Sequence, residues 1–409
     1  MVPPFRSQVR QACRMEKNRE SSPGQQPCPA SPQLHRTAGG IFHRGICPGE
    51  GGTMEVRHRS AGGAADLARR PGTRCAHGAS VVNYFWMLAP GVNRMRNHIS
   101  WLSLAFAAAA IGSSRAEPAE NPILAPGAKV TKLAGGMKFT EGPVWLPKEK
   151  KLVFSDIPNS KLMQWSAGSG LGVLRPSEQA NGNILDQQGR IISCQHAGRN
   201  LVRIEADGTA KVIADKFEGK RFNSPNDAAM KSDGSIWFTD PPWGLTGPHE
   251  VPGHWVYKIA PGGVRVEAVI KDLAMPNGIV FSPDEKRLYV ADTGGNKRHP
   301  DPKFHAIPAS IRCYGVKPDG TLGDILFRIN SGSDGMKVDS KGNLYTTHGG
   351  HVVVYDPEGK ELGKIAVPEG PANLCFGGDD LSTLFITART SLYSVKVRIP
   401  GAKPAGTQP

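Results

Sequence analysis

Carboxylate and amide side chains recur at the starts of six similar segments that follow residue 140. The first residues of these segments are Glu141, Gly182, Asn226, Asn277, Asp334 and Asn373. Carboxylate and amide oxygens suit Ca²⁺, which takes about six to eight oxygen ligands in a flexible geometry. They suit zinc poorly, because zinc prefers nitrogen and sulfur ligands. We therefore predict a divalent cation, with Ca²⁺ expected and Zn²⁺, Mg²⁺ or Mn²⁺ as alternatives, held by Glu141, Asn277 and Asp334 beside Asn226.

The segments themselves predict the element that positions these side chains. Each reads as a β-hairpin, and they cover residues 141–156, 182–196, 226–240, 277–292, 334–348 and 373–388. In the third copy, Asp233-Gly234 lies between two apolar runs, which is a strong hairpin-turn signal. Six copies that start 39 to 57 positions apart predict an all-β fold, because one hairpin cannot bury its faces alone. We expect a six-bladed β-propeller with the cation site in its central channel.

Hairpin geometry brings the last residue of each segment to the same rim as the first. The residues expected at this rim are Asp156, His196, Asp240, Asp292 and His348. A sequence such as Pro-Asn-Gly is by itself more typical of a turn than of a ligand, so the prediction depends on polar residues that recur at one phase of the repeat. For His196 and His348 taken singly, a neutral, hydrogen-bonded histidine at a strand end is the favoured interpretation.

The two ends of the repeat region predict how the ring closes. Residues 128–133 and 390–397 both alternate like strands. An unpaired strand edge invites aggregation, so the first strand is expected to complete the last blade beside residues 390–397. Residues 398–409 read as a flexible tail. The recurring aromatic residues are expected to pack between blades, and they are Trp145, Trp237, Phe281, Tyr289, Tyr345 and Phe385.

The segment before the repeats has a different composition. The 409-residue chain has a formal net charge of +14, but most of the excess lies before residue 117, so the repeats carry no nucleic-acid signature. Residues 1–94 show no repeat. We interpret them as disordered or, preferably, as upstream sequence included by a wrong start codon, with Met95 or Met87 as the true start.

Residues 95–116 have the features of a signal peptide. A short basic start precedes the apolar run 99–111, and Ser114-Arg115-Ala116 forms a small-residue cleavage site. The run is short for a membrane span, although an uncleaved anchor is the alternative. We expect an exported protein, periplasmic or secreted, with the propeller over residues 117–397 and no stable membrane insertion after cleavage.

Cysteine spacing excludes two kinds of site. Only Cys194, Cys313 and Cys375 follow residue 116, and none has a Cys-x-x-Cys partner. We therefore expect neither a structural zinc site nor a disulfide framework.

Motifs along the repeats resemble the SMP-30/gluconolactonase/luciferin-regenerating-enzyme family over residues 128–397. The matching stretches are 141–145 (EGPVW), 223–227 (NSPND) with 235–241, 276–278 (PNG) with 289–292, 334–336 (DGM) with 342–345, and 375–378 (CFGG) with 386–388. The resemblance implies a six-bladed propeller with one divalent metal in its channel and, commonly, hydrolysis of small lactones.

The resemblance also implies roles for individual residues. Glu141, Asn277 and Asp334 would be metal ligands, and Asp334 would also be the catalytic acid or base. Asn226 would bind the substrate or the metal. The remaining substrate-binding candidates are His196, His348 and Arg221, of which Arg221 lies just before the Asn226 region, where the animal branch of the family has an arginine.

The function expected from these residues is a gluconolactonase, which opens D-glucono-1,5-lactone with water to give D-gluconate. The metal would polarise the carbonyl and activate water, and Asp334 would assist the attack, with His348 or His196 as the alternative base. Other readings are a paraoxonase-like esterase or lactonase, and a secreted binding propeller without catalysis, since the fold alone determines no chemistry. We expect a monomer or a weak dimer.

Overall fold

The computed structural model describes residues 121–263 and 265–405. The predicted upstream segment 1–94 and signal peptide 95–116 lie outside these residues. Among the described residues, no helix is long and apolar enough to span a bilayer. The helical content consists of short 3₁₀-helices at Ile157–Asn159, Pro261–Gly263 and Pro302–Phe304.

Six four-stranded antiparallel sheets form the blades, which confirms the predicted six-bladed propeller. Strand β1 (Thr131–Gly135) belongs to the sheet of the last blade. Blade one contains β2 (Thr140–Leu146), β3 (Lys151–Asp156), β4 (Lys161–Ser166) and β5 (Gly170–Pro176). Blade two contains β6 (Ala180–Leu185), β7 (Ile191–Gln195), β8 (Asn200–Ile204) and β9 (Ala210–Ala214). A small hairpin follows, made of β10 (Lys216–Phe217) and β11 (Lys220–Arg221).

The second half of the ring repeats this pattern. Blade three contains β12 (Ala228–Met230), β13 (Ile236–Asp240), β14 (Trp255–Ile259) and β15 (Val266–Ile270). Blade four contains β16 (Pro276–Phe281), β17 (Arg287–Asp292), β18 (Ser310–Val316) and β19 (Leu322–Ile329). Blade five contains β20 (Met336–Val338), β21 (Leu344–His348), β22 (His351–Tyr355) and β23 (Glu361–Ala366). Blade six contains β24 (Pro371–Gly377), β25 (Thr383–Ala388) and β26 (Ser391–Lys396), together with β1.

The first strand of each blade lies against the first strands of both neighbouring blades, around the central channel. These strands are strongly buried, whereas outer strands such as β5 alternate between exposed and half-buried residues. Aromatic rings fill the space between blades, as predicted. Trp145 stacks on Phe385 with centroids 5.4 Å apart, and Trp237 meets the edge of Phe281 at 5.6 Å.

Ring closure occurs as predicted, with β1 pairing antiparallel to β26 as the outermost strand of blade six. The predicted flexible tail is only partly correct, because residues that follow β26 are hydrogen-bonded to the blades. Pro400 O accepts from Ser340 N at 2.8 Å, and Gly401 N donates to Leu381 O at 3.0 Å. These backbone bonds fix the start of the tail against blades five and six.

Glu369, in the loop between β23 and β24, ties the closing strands to the last blade. Its carboxylate accepts hydrogen bonds from Thr390 N (3.0 Å), Tyr393 OH (2.9 Å) and the Ser391 hydroxyl, and it pairs with Lys132 of β1 at 3.2 Å. Burial would raise the pKa of Glu369, but the hydrogen bonds from Ser391, Thr390 and Tyr393 outweigh it and lower the pKa to about 2.

The Glu369→Gln variant is expected to lose about 1–2 kcal/mol of unfolding free energy at neutral pH, measured by urea unfolding, because charge-assisted hydrogen bonds are lost. A carboxyl whose pKa falls on folding stabilises the fold above its unfolded pKa of about 4.3, and this contribution disappears as the pH falls toward the folded value. The difference between Glu369→Gln and wild type should therefore shrink between about pH 4 and pH 2.

The matched control is Glu361→Gln, which removes a carboxylate from a half-exposed pair with Lys364 on β23. This control should change the unfolding free energy by less than about 0.5 kcal/mol. Equal stability of Glu369→Gln and wild type at neutral pH would show that the carboxylate does not hold the ring closed.

Candidate active site

Backbone hydrogen bonds between blades define two equivalent positions at the start of each first strand. Gly182 N donates to Asn226 O at 2.8 Å, Gly278 N to Asp334 O at 3.1 Å, and Gly335 N to Ala372 O at 2.8 Å. We call the acceptor residues and their equivalents the mouth residues, and they are Glu141, Asn181, Asn226, Asn277, Asp334 and Ala372. The residue that follows each of them is an inner residue.

This alignment corrects two of the predicted blade starts. Gly182 and Asn373 are inner residues, so the mouth residues of blades two and six are Asn181 and Ala372. The sequence alignment of the hairpins was one residue out of register there.

The inner residues are mostly glycine, and the exceptions meet across the channel. Asn373 Nδ2 of blade six donates to Asp227 Oδ2 of blade three at 3.5 Å. A Cβ on Gly182 would lie 2.6 Å from Asp227 Oδ1, and a Cβ on Gly335 would lie 2.1 Å from Asn373 Oδ1. The glycines therefore make room for the two polar side chains that cross the channel.

Glu141 is buried at the mouth and its carboxylate is oriented from one side. Oε2 accepts from Gly142 N at 2.7 Å and from Asn373 Nδ2 at 3.0 Å. Burial, followed by the charge of Asp334, raises the pKa of Glu141 well above its ordinary value, and Asp227 adds to the effect. These bonds hold Oε2 and orient the other carboxylate oxygen, Oε1.

A chain of amides from three blades ends on Asp334. Asn181 Nδ2 donates to Asn226 Oδ1 at 2.6 Å, and Asn226 Nδ2 donates to Asn277 Oδ1 at 2.7 Å. The Asn277 side chain in turn acts on Asp334, whose pKa it lowers. Burial and the charge of Asp227 raise the pKa of Asp334 to about 7, against the opposing effect of Asn277. Each amide thus donates in the direction of the acid.

His196 contacts the first two amides of this hydrogen-bonded series, Asn181 and Asn226. Its Nε2 lies 3.1 Å from Asn181 Nδ2 and 3.3 Å from Asn226 Oδ1. Burial lowers the pKa of His196 to about 4, so the ring is neutral at physiological pH. A Cβ on Gly244 would lie 2.3 Å from His196 Cβ, which places the loop after β13 directly against the ring.

The other two substrate-binding candidates lie apart from the amide chain. His348 is exposed at the end of β21. Arg221 donates from Nη2 to Gly198 O at 2.6 Å, and its backbone N–H donates to Glu250 at 2.9 Å. The structure therefore brings Glu141, Asn226, Asn277, Asp334 and His196 together, while His348 and Arg221 occupy the surrounding rim and loops.

Three aspartates that were expected to offer oxygen ligands at the rim instead accept backbone hydrogen bonds. Asp156, Asp240 and Asp292 each end the second strand of a blade and accept two backbone N–H bonds from the segment that leads into the first strand. The donors are Lys138 and Phe139 for Asp156, Asn223 and Ser224 for Asp240, and Ala274 and Met275 for Asp292. These carboxylates anchor the blade starts.

Two loops form a raised rim over blades three and four. They cover residues 241–254 and 294–308, and Arg298 links them by donating to the carbonyls of Pro242 and Leu245. His249 adds a second link, with Nε2 3.1 Å from Arg298 O and Nδ1 3.0 Å from Asn223 Oδ1. The long fourth repeat thus supplies one wall of the mouth.

Sequence reasoning missed three polar residues near the channel axis, namely Asn181, Asp227 and the cross-channel role of Asn373. A usable signal was present. The blade starts contain Glu141-Gly142, Asn277-Gly278 and Asp334-Gly335, whereas Asn226 is followed by an aspartate. A charged side chain at a position that is otherwise glycine identifies Asp227 as a residue of the channel interior.

The side chains at the mouth fit a divalent cation. The cationic charges that act on the acids are Lys337 on Asp227 and Arg389 on Asp334, and neither forms a salt bridge within the described ranges. No group of three His, Cys, Asp or Glu side chains among those residues could hold a metal ion, so an amide oxygen has to complete the ligands. The Asn277 oxygen has two lone pairs and can keep its hydrogen bond while it binds a cation.

Comparisons with known proteins identify relatives of this chain. The family model described as the SMP-30/gluconolactonase/LRE-like region matches residues 139–390. A gluconolactonase from Zymomonas mobilis is 29% identical over 311 residues, which are 69% of this chain and 85% of the relative. A pentonolactonase from Haloferax volcanii is 30% identical over 262 residues, with 61% of this chain and 81% of the relative covered.

A solved structure extends the similarity to the fold. The gluconolactonase from Xanthomonas campestris is 33% identical, with a TM-score of 0.60, and the match covers 68% of this chain and 91% of that chain. The family model covers all six blade starts and the mouth residues described above. The chain therefore belongs to the SMP-30/gluconolactonase/LRE-like family.

Proposed function

We propose that the protein hydrolyses small sugar lactones, with D-glucono-1,5-lactone as the first candidate substrate, and that it uses a divalent cation, with Ca²⁺ expected. The observation that carries this proposal is the convergence of Glu141 and Asp334 with three amides at one channel mouth. Family membership and the named lactonases among the relatives support it.

The cation would be held by Glu141, Asn277 and Asp334. When bound, it would polarise the lactone carbonyl and lower the pKa of a coordinated water. The Glu141 carboxylate is preorganised for the cation, because hydrogen bonds from Gly142 and Asn373 orient it. Positive charge also offsets the repulsion among acids that raise one another's pKa.

Asp334 is the group that moves protons in this proposal. Its ionised carboxylate accepts a proton from water as the water oxygen bonds to the lactone carbonyl carbon. When the ring C–O bond breaks, the protonated carboxyl returns that proton to the ring oxygen, which leaves as a hydroxyl. Asp334 thus acts first as a general base and then as a general acid.

The amides and His196 fit a polyhydroxylated substrate. Asn226 presents both donor and acceptor atoms, and neutral His196 likewise carries one of each. Sugar hydroxyls can exchange with such groups without leaving a buried charge unpaired. A paraoxonase-like activity on apolar esters is the second candidate, and the polar lining of the mouth makes it less favourable.

The first test is lactone turnover by the purified protein, followed by acid release from D-glucono-1,5-lactone. Activity should disappear after EDTA treatment and return with one of Ca²⁺, Mg²⁺, Mn²⁺ or Zn²⁺. Cation binding without turnover on sugar lactones would favour another ester or a binding role. Turnover that resists complete cation removal would overturn the cation-dependent mechanism.

The second test uses Asp334→Asn and Glu141→Gln. The Asp334→Asn change should lower kcat by roughly 10²- to 10⁴-fold, because it removes the proton acceptor. The Glu141→Gln change should weaken cation binding at least about tenfold, as measured by calorimetry. Asp207→Asn is the control, since Asp207 lies in an exposed hairpin turn where it accepts from Thr209. Near wild-type turnover in Asp334→Asn would remove Asp334 from the mechanism.

The third test concerns the repulsion among the acids. Burial raises the pKa of Asp227, and its charge raises the pKa of Glu141 and Asp334. In EDTA at about pH 8, Asp227→Asn should raise the unfolding free energy by roughly 0.5–2 kcal/mol. Added Ca²⁺ should then stabilise the variant less than wild type. A variant less stable than wild type in EDTA would show that Asp227 is not under electrostatic strain.

A further inference from the structure

A cavity of about 470 Å³ lies at the end of the channel opposite the mouth. Its lining comes from later positions on the first strands and from the hairpin turns that follow them. Representative lining residues, one from each blade, are Val144, Leu185, Met230, Val280, Lys337 and Cys375. The volume is within the range of small-molecule pockets, which are about 300–1,000 Å³ and mostly apolar.

Lys337 of β20 is a cation on this largely apolar wall. Its Nζ lies 3.0 Å from Met336 O, and no carboxylate of the described residues lies within 4 Å of it. An ammonium group has three donors, so its capacity for hydrogen bonds is largely unused.

The acidic residues that line the same cavity have other partners. Glu285 pairs with Lys231 at 3.1 Å, and Asp379 pairs with Lys150 at 2.9 Å. Both of these pairs lie at the hairpin turns, away from the inner part of the channel. The cavity therefore combines apolar walls with Lys337, a half-buried cation that has no carboxylate within salt-bridge distance among the described residues.

We propose that this cavity binds one small amphipathic carboxylate, of the medium-chain fatty acid type, with its carboxylate at Lys337 and its alkyl chain against Val144, Val280 and neighbouring apolar residues. A buried charge is stabilised by an opposite charge with hydrogen bonds, and the walls supply apolar surface for the chain. A sugar lactone fits poorly, because its hydroxyls would lose hydrogen bonds there.

The proposed site is distinct from the mouth. Asp227 and Asn373 cross the channel between the two, so a ligand in the cavity does not reach Glu141 or Asp334 directly. Lys337 also acts on Asp227, whose pKa its charge lowers. If compensation of Asp227 were the only role of Lys337, its removal would leave carboxylate binding unchanged, and this difference makes the proposal testable.

The experiment is isothermal titration of the full-length protein with decanoate and, separately, with the neutral analogue decanol. Wild type should bind one decanoate. Lys337→Met, which keeps most of the length of the side chain and removes the charge, should lower decanoate affinity at least about tenfold and leave decanol affinity unchanged. Lys403→Met is the matched control, because Lys403 also lines the cavity but is exposed, and it should bind decanoate like wild type.

A second variant and a kinetic readout separate the possible outcomes. Val280→Trp fills the cavity and should abolish binding of both ligands while lactone turnover confirms that the protein is folded. Decanoate should leave the KM for the lactone unchanged. Equal decanoate affinity in wild type and Lys337→Met, no decanoate binding to wild type, or competition of decanoate with the lactone would each overturn the proposal.

Discussion

Three carboxyl groups from three blades share the mouth of one channel, and the rest of the structure keeps them there against their mutual repulsion. Glu141 and Asp227 are buried and Asp334 is half-buried. The charges of Asp334 and Asp227 raise the pKa of Glu141, and the charge of Asp227 raises the pKa of Asp334. Like charges in a buried site would separate if the framework could yield. The framework resists because backbone hydrogen bonds join the starts of blades two and three, four and five, and five and six, and because β1 closes the ring beside β26.

The same framework determines which oxygens face the mouth. Asp156, Asp240 and Asp292 resemble the site acids in type and in position at the rim, yet backbone N–H groups occupy them. Glu141 and Asp334 receive side-chain amides from neighbouring blades, which orient the acids without neutralising them. Some acids of the propeller therefore stabilise the fold, and others are available for the proposed chemistry. The first group accepts from backbone N–H groups of the chain leading into a blade, whereas the second interacts with side-chain amides of neighbouring blades.

Much of the fold could be predicted from the sequence, because a hairpin period is local information that recurs six times. The closing pair of strands and the grouping of Glu141, Asn226, Asn277 and Asp334 followed from that period. Asn181 was missed because the predicted start of blade two was placed at Gly182, one residue too late. The Asp227–Asn373 contact joins residues 146 positions apart across the channel, and no local pattern encodes such a pairing.

The two ends of the channel differ because the same first strands change composition along their length. Near the mouth they present acids and amides, and beyond the inner residues they present mainly apolar side chains. Asp227 and Asn373 lie at the boundary, where four of the six inner residues are glycine. A substitution at a mouth residue should thus affect one end of the channel, whereas a substitution at the boundary acts on both. This boundary links Lys337 to the acids through Asp227, and it is the one place where a ligand at the far end is electrostatically connected to the proposed catalytic carboxylates.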